Sequence, residues 1–105
     1  MARIAIDEPS AELRHLFSRV VTSLGHEPVP AAEAPAAHVV LLDPDGRAVP
    51  AEPPPGVPVI LCSVYSSSEA FDSFGAAAHL VKPFTRADLE HAIGVALDGQ
   101  PAHAA

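Results

Sequence analysis

His38-Val39-Val40-Leu41-Leu42-Asp43 runs straight into the turn Pro44-Asp45-Gly46. Four consecutive apolar residues with no polar alternation suit a strand buried on both faces, as in a parallel sheet covered on each side. In open parallel sheets, ligands sit just beyond the carboxyl ends of the strands. A carboxylate is expensive to bury there, so Asp43 reads as a working residue. The competing reading makes it the first residue of an Asp-Pro turn.

Working outward, Ala2 to Ile6 reads as a first strand, ending at Asp7-Glu8-Pro9-Ser10. That sequence is helix-start chemistry: acids near the positive end of a helix dipole, a proline, and Ser10 as cap. Leu13, Leu16, Phe17, Val20, Val21 and Leu24 then make one apolar helical face, and Gly25 ends it. Glu27 to Pro30 is a strand whose two prolines restrict it to a sheet edge. Only seven residues, Ala31 to Ala37, lead back to the His38–Asp43 strand. A crossover must climb on the order of 17 Å. Seven helical residues cover only about 10 Å, whereas an extended link reaches roughly 24 Å, so an extended link is expected. Pro44 to Gly56 holds five prolines and predicts polyproline-like structure rather than a helix.

Val57 to Cys62 is the next apolar strand, ending at Ser63. Ser66-Ser67-Ser68-Glu69 opens a helix that can run only to about Phe74, before Gly75. His79 to Lys82 is the last strand, broken by Pro83. Thr85-Arg86-Ala87-Asp88 carries a capping box, and the final helix sets Leu89, Ile93, Ala96 and Leu97 on one face before Asp98-Gly99. Residues 1–99 form one α/β domain with all strands parallel, and the tail from Gln100 to Ala105 is frayed.

The chain has 105 residues and a formal net charge of −7. That length supports one small core. The acidic balance argues against direct nucleic-acid binding, whose phosphates call for a basic patch. No stretch is long enough to span a membrane, and Arg3-Ile4-Ala5-Ile6 is too short for a secretory signal. A single cysteine, Cys62, rules out an internal disulfide and agrees with a reducing, cytoplasmic setting. It reads as a buried small hydrophobe, and the histidines other than His79 show no zinc-ligand spacing.

Set side by side, the strand ends bring together Asp7 and Glu8, Asp43, Ser63 and Lys82. Converging carboxylates repel and raise one another's pKa. A hard divalent ion such as Mg²⁺, with oxygen ligands and retained waters, makes the grouping sensible. The lysine adds a fixed positive charge and the serine a hydroxyl donor. Together they suit a phosphoryl group, whose oxygens cations neutralise while a carboxylate attacks phosphorus.

At these residues the chain resembles the receiver domain of bacterial two-component response regulators, the CheY-like, flavodoxin-like fold. The resemblance rests on Val39-Val40-Leu41-Leu42-Asp43, on Pro58-Val59-Ile60-Leu61-Cys62-Ser63, and most specifically on Gly75-Ala76 followed by His79-Leu80-Val81-Lys82-Pro83-Phe84. It implies a doubly wound, five-stranded parallel sheet of order 2-1-3-4-5, with the middle helices missing or shortened. It also implies roles. Asp43 accepts a phosphoryl group from a histidine kinase or phosphotransfer protein, Ser63 and Lys82 bind that group, and Lys82–Pro83 is cis. His79 takes the switch position, and Asp7, Glu8 and Asp43 hold Mg²⁺. The chain would then be no classical enzyme, only self-catalysing its own phosphorylation and signalling to an output protein.

The chain also departs from the family pattern. Three alignments of the acid pair compete: one puts Ile6 where the first acid belongs, one keeps Asp7 and Glu8 but shifts the helix, and one follows Arg14 and Gly25. Proline follows Asp43 immediately, and Val64 replaces a usual small residue. The stripped middle helices predict a bare apolar sheet face, and this face, or the short Ser67–Phe74 helix beside it, is expected to dock a partner or a second copy as a homodimer. The alternative function is therefore a pseudo-receiver, a phosphorylation-independent interaction or dimerisation module. A small hydrolase or phosphatase is disfavoured by the lack of a glycine-rich phosphate loop and of a Ser–His pairing.

Overall fold

The computed structural model describes residues 1–45, 54–64 and 75–98. In chain order its elements are β1 (Arg3–Asp7), α1 (Ala11–Ser23), β2 (Glu27–Pro30), a 3₁₀ helix (Ala31–Ala36), β3 (Val39–Leu42), β4 (Val59–Ser63), β5 (Ala78–Val81) and α2 (Arg86–Asp98). The strands form one sheet of order β2-β1-β3-β4-β5, and every pairing is parallel. β2 lies at an edge and pairs with β1 alone, the place its prolines require.

Strand alternation divides the core into two layers. Ile4, Ile6, Val39, Leu41, Ile60, Cys62 and Leu80 face α1 and α2, meeting Phe17, Val21, Leu89, Ala92, Ile93 and Ala96. Ala5, Val40, Leu42, Val59 and Leu61 face the other way, with Val29, Ala34 and Ala76. All four residues of β3 are buried, as its unbroken apolar run predicts. Ser10 caps α1 by accepting the Leu13 N–H at 3.3 Å. Gly25 turns the chain at φ +86°, a left-handed conformation that glycine adopts without strain. Thr85 and Asp88 cap α2 reciprocally: Thr85 Oγ1 accepts the Asp88 N–H and Asp88 Oδ2 accepts the Thr85 N–H, each at 3.0 Å.

Three expectations change. The link after β2 is not extended but a 3₁₀ helix. β2 and β3 have only four residues each, so the climb is about 13 Å, and six residues of 3₁₀ helix cover about 12 Å. Leu16, placed on the buried face of α1, is 49% exposed. The layer expected to be bare is closed: Val40, Leu42, Val59 and Leu61 are at most 4% exposed, with Ala34 of the 3₁₀ helix packed among them. The described residues of that layer therefore offer no bare sheet face. The short helix expected from Ser66 to Phe74, most of the Pro44–Gly56 stretch and the tail lie outside the described residues.

Candidate functional site at the carboxyl edge of the sheet

Backbone pairing carries the strand ends into one row. The Asp43 N–H donates to the Asp7 carbonyl at 3.0 Å, and the Lys82 N–H to the Ser63 carbonyl at 2.7 Å. From that row the Lys82 ammonium donates to both Glu8 Oε1 and Asp43 Oδ2. The three side chains are nearly shut away from solvent, at 10%, 3% and 9% exposure. The Lys82–Pro83 peptide bond is cis, as expected.

Each carboxylate is held on its far side as well. Glu8 Oε2 accepts the Ser10 N–H at 2.9 Å, which ties the acid to the start of α1. Arg14 donates to the carbonyls of Glu8 and Pro9 at 2.8 and 3.2 Å and so fixes the loop that carries Glu8. Asp43 Oδ1 accepts the Asp45 N–H at 2.7 Å, an Asx turn closed over Pro44. Burial pulls the Lys82 pKa down, but hydrogen bonds to Asp43 and Glu8 and the charge of Asp43 outweigh it, leaving the pKa raised. The ammonium also lies 5.6 Å from the ring centre of Phe17, which stacks on Phe84 at 5.2 Å. Beside it opens an apolar hollow of about 270 Å³, walled by Leu13, Leu16, Val64 and Pro83 together with those two rings.

Register separates the acid pair. Asp7 pairs with Leu42, a residue of the layer away from α1 and α2, whereas Glu8 meets Lys82 on the helix side. Of the three acids expected to hold a metal, Glu8 and Asp43 converge on the Lys82 ammonium, and Asp7 takes the face of the sheet that Ser63 also takes. Among the described residues no three acid, cysteine or histidine side chains form a metal cage. Mg²⁺ does not need one, since it keeps several waters and uses one or two carboxylates. The Lys82 ammonium itself marks the point where Glu8 and Asp43 offer oxygens to a cation, so the donor chemistry fits the ion.

Ser63 is buried and donates its hydroxyl proton to Asp45 Oδ2. Asp45 and Arg14 are the two site residues that sequence reasoning missed. The Asp-Pro-Asp turn signals the backbone bond to Asp43, but no local pattern signals the bond to Ser63, 18 residues away. His79 is half-buried and pairs with Leu61, so alternation sets it on the same face as Ser63 and opposite Lys82.

No protein-family model matches the sequence, and no curated protein matches it. Solved structures do. NtrX from Brucella abortus superposes with a TM-score of 0.77 at 24% identity, over 92% of this chain and 27% of that one. The receiver domain of a sensor histidine kinase from Pseudomonas aeruginosa, with a magnesium ion coordinated in its active-site cleft, gives 0.76 at 17% identity, covering 93% and 98%. Vibrio cholerae chemotaxis protein CheY4 gives 0.76 at 21% identity, covering 92% and 99%. At these identities the likeness is one of architecture, and the present chain spans about a quarter of the NtrX molecule. With its 2-1-3-4-5 parallel sheet, the chain has the CheY-like fold of response-regulator receiver domains.

Proposed function

We propose that the chain is a receiver module that accepts a phosphoryl group on Asp43 and signals through protein contacts. The observation that carries this reading is the Lys82 ammonium bonded to both Asp43 and Glu8 at the carboxyl edge of the sheet. A carboxylate oxygen of Asp43 attacks the phosphorus of a phosphohistidine on a histidine kinase or phosphotransfer protein. The P–N bond breaks, its electron pair leaves with the imidazole nitrogen, and an acyl phosphate forms. Lys82 balances the charge of the transferred oxygens, Ser63 donates its hydroxyl proton to one of them, and the Asp45 N–H keeps the Asp43 carboxylate oriented. Glu8 and Asp43 would hold Mg²⁺, which supplies electrostatic stabilisation of the phosphoryl oxygens when bound. His79, on the Ser63 face, would pass a change at Ser63 toward an output protein.

The test is beryllofluoride with millimolar Mg²⁺, followed in amide spectra of the full chain. Shifts centred on Asp43, Ser63 and Lys82 that vanish in Asp43→Asn are expected. A second reading, a pseudo-receiver that binds partners without phosphorylation, draws on the same closed network: fixed donors already engage both Glu8 oxygens and both Asp43 oxygens. A folded wild-type chain that ignores beryllofluoride would select that reading.

A further inference from the structure

The acid–hydroxyl–ammonium scheme gives no work to the Asp45 side chain, yet that carboxylate holds the Ser63 hydroxyl. A serine hydroxyl has one proton to donate. While it points at Asp45 Oδ2, it is not available to an oxygen on Asp43. Asp45 is itself anchored, because its own N–H is bonded to Asp43 Oδ1 at 2.7 Å. Its carboxylate thus keeps a fixed station between the proposed acceptor and the serine meant to assist it.

We propose that Asp45 is a positioning residue that latches Ser63 in the resting state and competes with the phosphoryl group for its proton. The inference rests on the phosphoacceptor reading above. Binding at Asp43 and the Ser63–Asp45 bond then oppose each other: whatever the latch takes from phosphoryl affinity, a bound phosphoryl group takes from the latch. Removing the Asp45 side chain leaves its backbone N–H on Asp43, so the substitution releases Ser63 without releasing Asp43.

Beryllofluoride at fixed millimolar Mg²⁺, titrated into the full-length chain and read from amide shifts, tests this. Asp45→Ala is expected to bind the mimic about tenfold to a hundredfold more tightly than wild type, the worth of one hydrogen bond to a charged group. In a Ser63→Ala background the same change is expected to give a clearly smaller gain, because no hydroxyl is left to free. Should Asp45→Ala lose its amide dispersion, Asp45→Asn serves instead, since it removes the charge-assisted part of the bond. An Asp45→Ala affinity within twofold of wild type overturns the latch, as does an undiminished gain in the Ser63→Ala background. If the wild type responds and the variant does not tighten, the latch alone fails. If no folded variant responds, the phosphoacceptor reading fails and takes the latch with it.

Discussion

Lys82 is the only lysine in the chain, and it stands between two carboxylates that are almost fully buried. Replacing it with Met leaves both acids without their cation, and breaking a buried pair from one side costs about 3 kcal/mol. Urea unfolding of Lys82→Met is expected to show that loss near neutral pH. The pH dependence follows from the raised pKa. A proton held more tightly in the folded chain stabilises it, so the contribution is fully present below the ordinary lysine value of 10.5 and fades as pH rises through the folded value. As pH rises from neutrality, the wild type should therefore keep its advantage over Lys82→Met until that alkaline range. That Asp43, Ser63 and Lys82 lie at one edge was legible in the sequence because each closes an apolar strand of a parallel sheet. Which of Asp7 and Glu8 meets Lys82 was not, because that turns on which face each residue takes, and alternation is set by pairing register rather than by composition.

At the scale of elements, the two long helices follow their sequence signals closely. Ser10, Gly25 and the Thr85–Asp88 box end or begin helices where local chemistry places them. Thr85→Ala should cost about 1 kcal/mol through loss of the cap, measured as a lowered thermal midpoint. Hydrogen bonds from the Thr85 backbone and hydroxyl hold the Asp88 carboxyl below its ordinary value. A depressed carboxylate stabilises the fold above its unfolded pKa, 3.8, and the benefit disappears as pH falls through the folded value. The penalty of Thr85→Ala should shrink in strong acid. The 3₁₀ helix shows where element reading fell short. Strands of ordinary length call for an extended link, but the brevity of β2 and β3 makes a compact one sufficient. Leu16 has the spacing of the apolar face, yet it is half exposed and lines the hollow beside Lys82.

The whole molecule is built around two apolar layers on one sheet, and that division was implicit in the unbroken β3 sequence. Its closure was not, since Ala34, one of the residues packed there, comes from the short link that its span alone makes extended. Leu61→Ala, in the centre of that layer and fully buried, should destabilise by about 3 kcal/mol, a direct measure by chemical denaturation of how well the layer is sealed. α2 is also moored to α1, because Arg86 donates to the Ser23 hydroxyl and carbonyl at 3.1 Å, a cation set at a helix carboxyl end.

The Lys82–Glu8 contact spans 74 positions of sequence and reaches from one side of the sheet to β1 across two intervening strands. One ammonium thereby acts as a reversible cross-link between the opening and closing thirds of the chain. Acylating or methylating reagents, which find no other side-chain amine here, become reporters of that link: the native chain should resist them, and the rate at which Lys82 is captured should track how often the two ends of the fold part company.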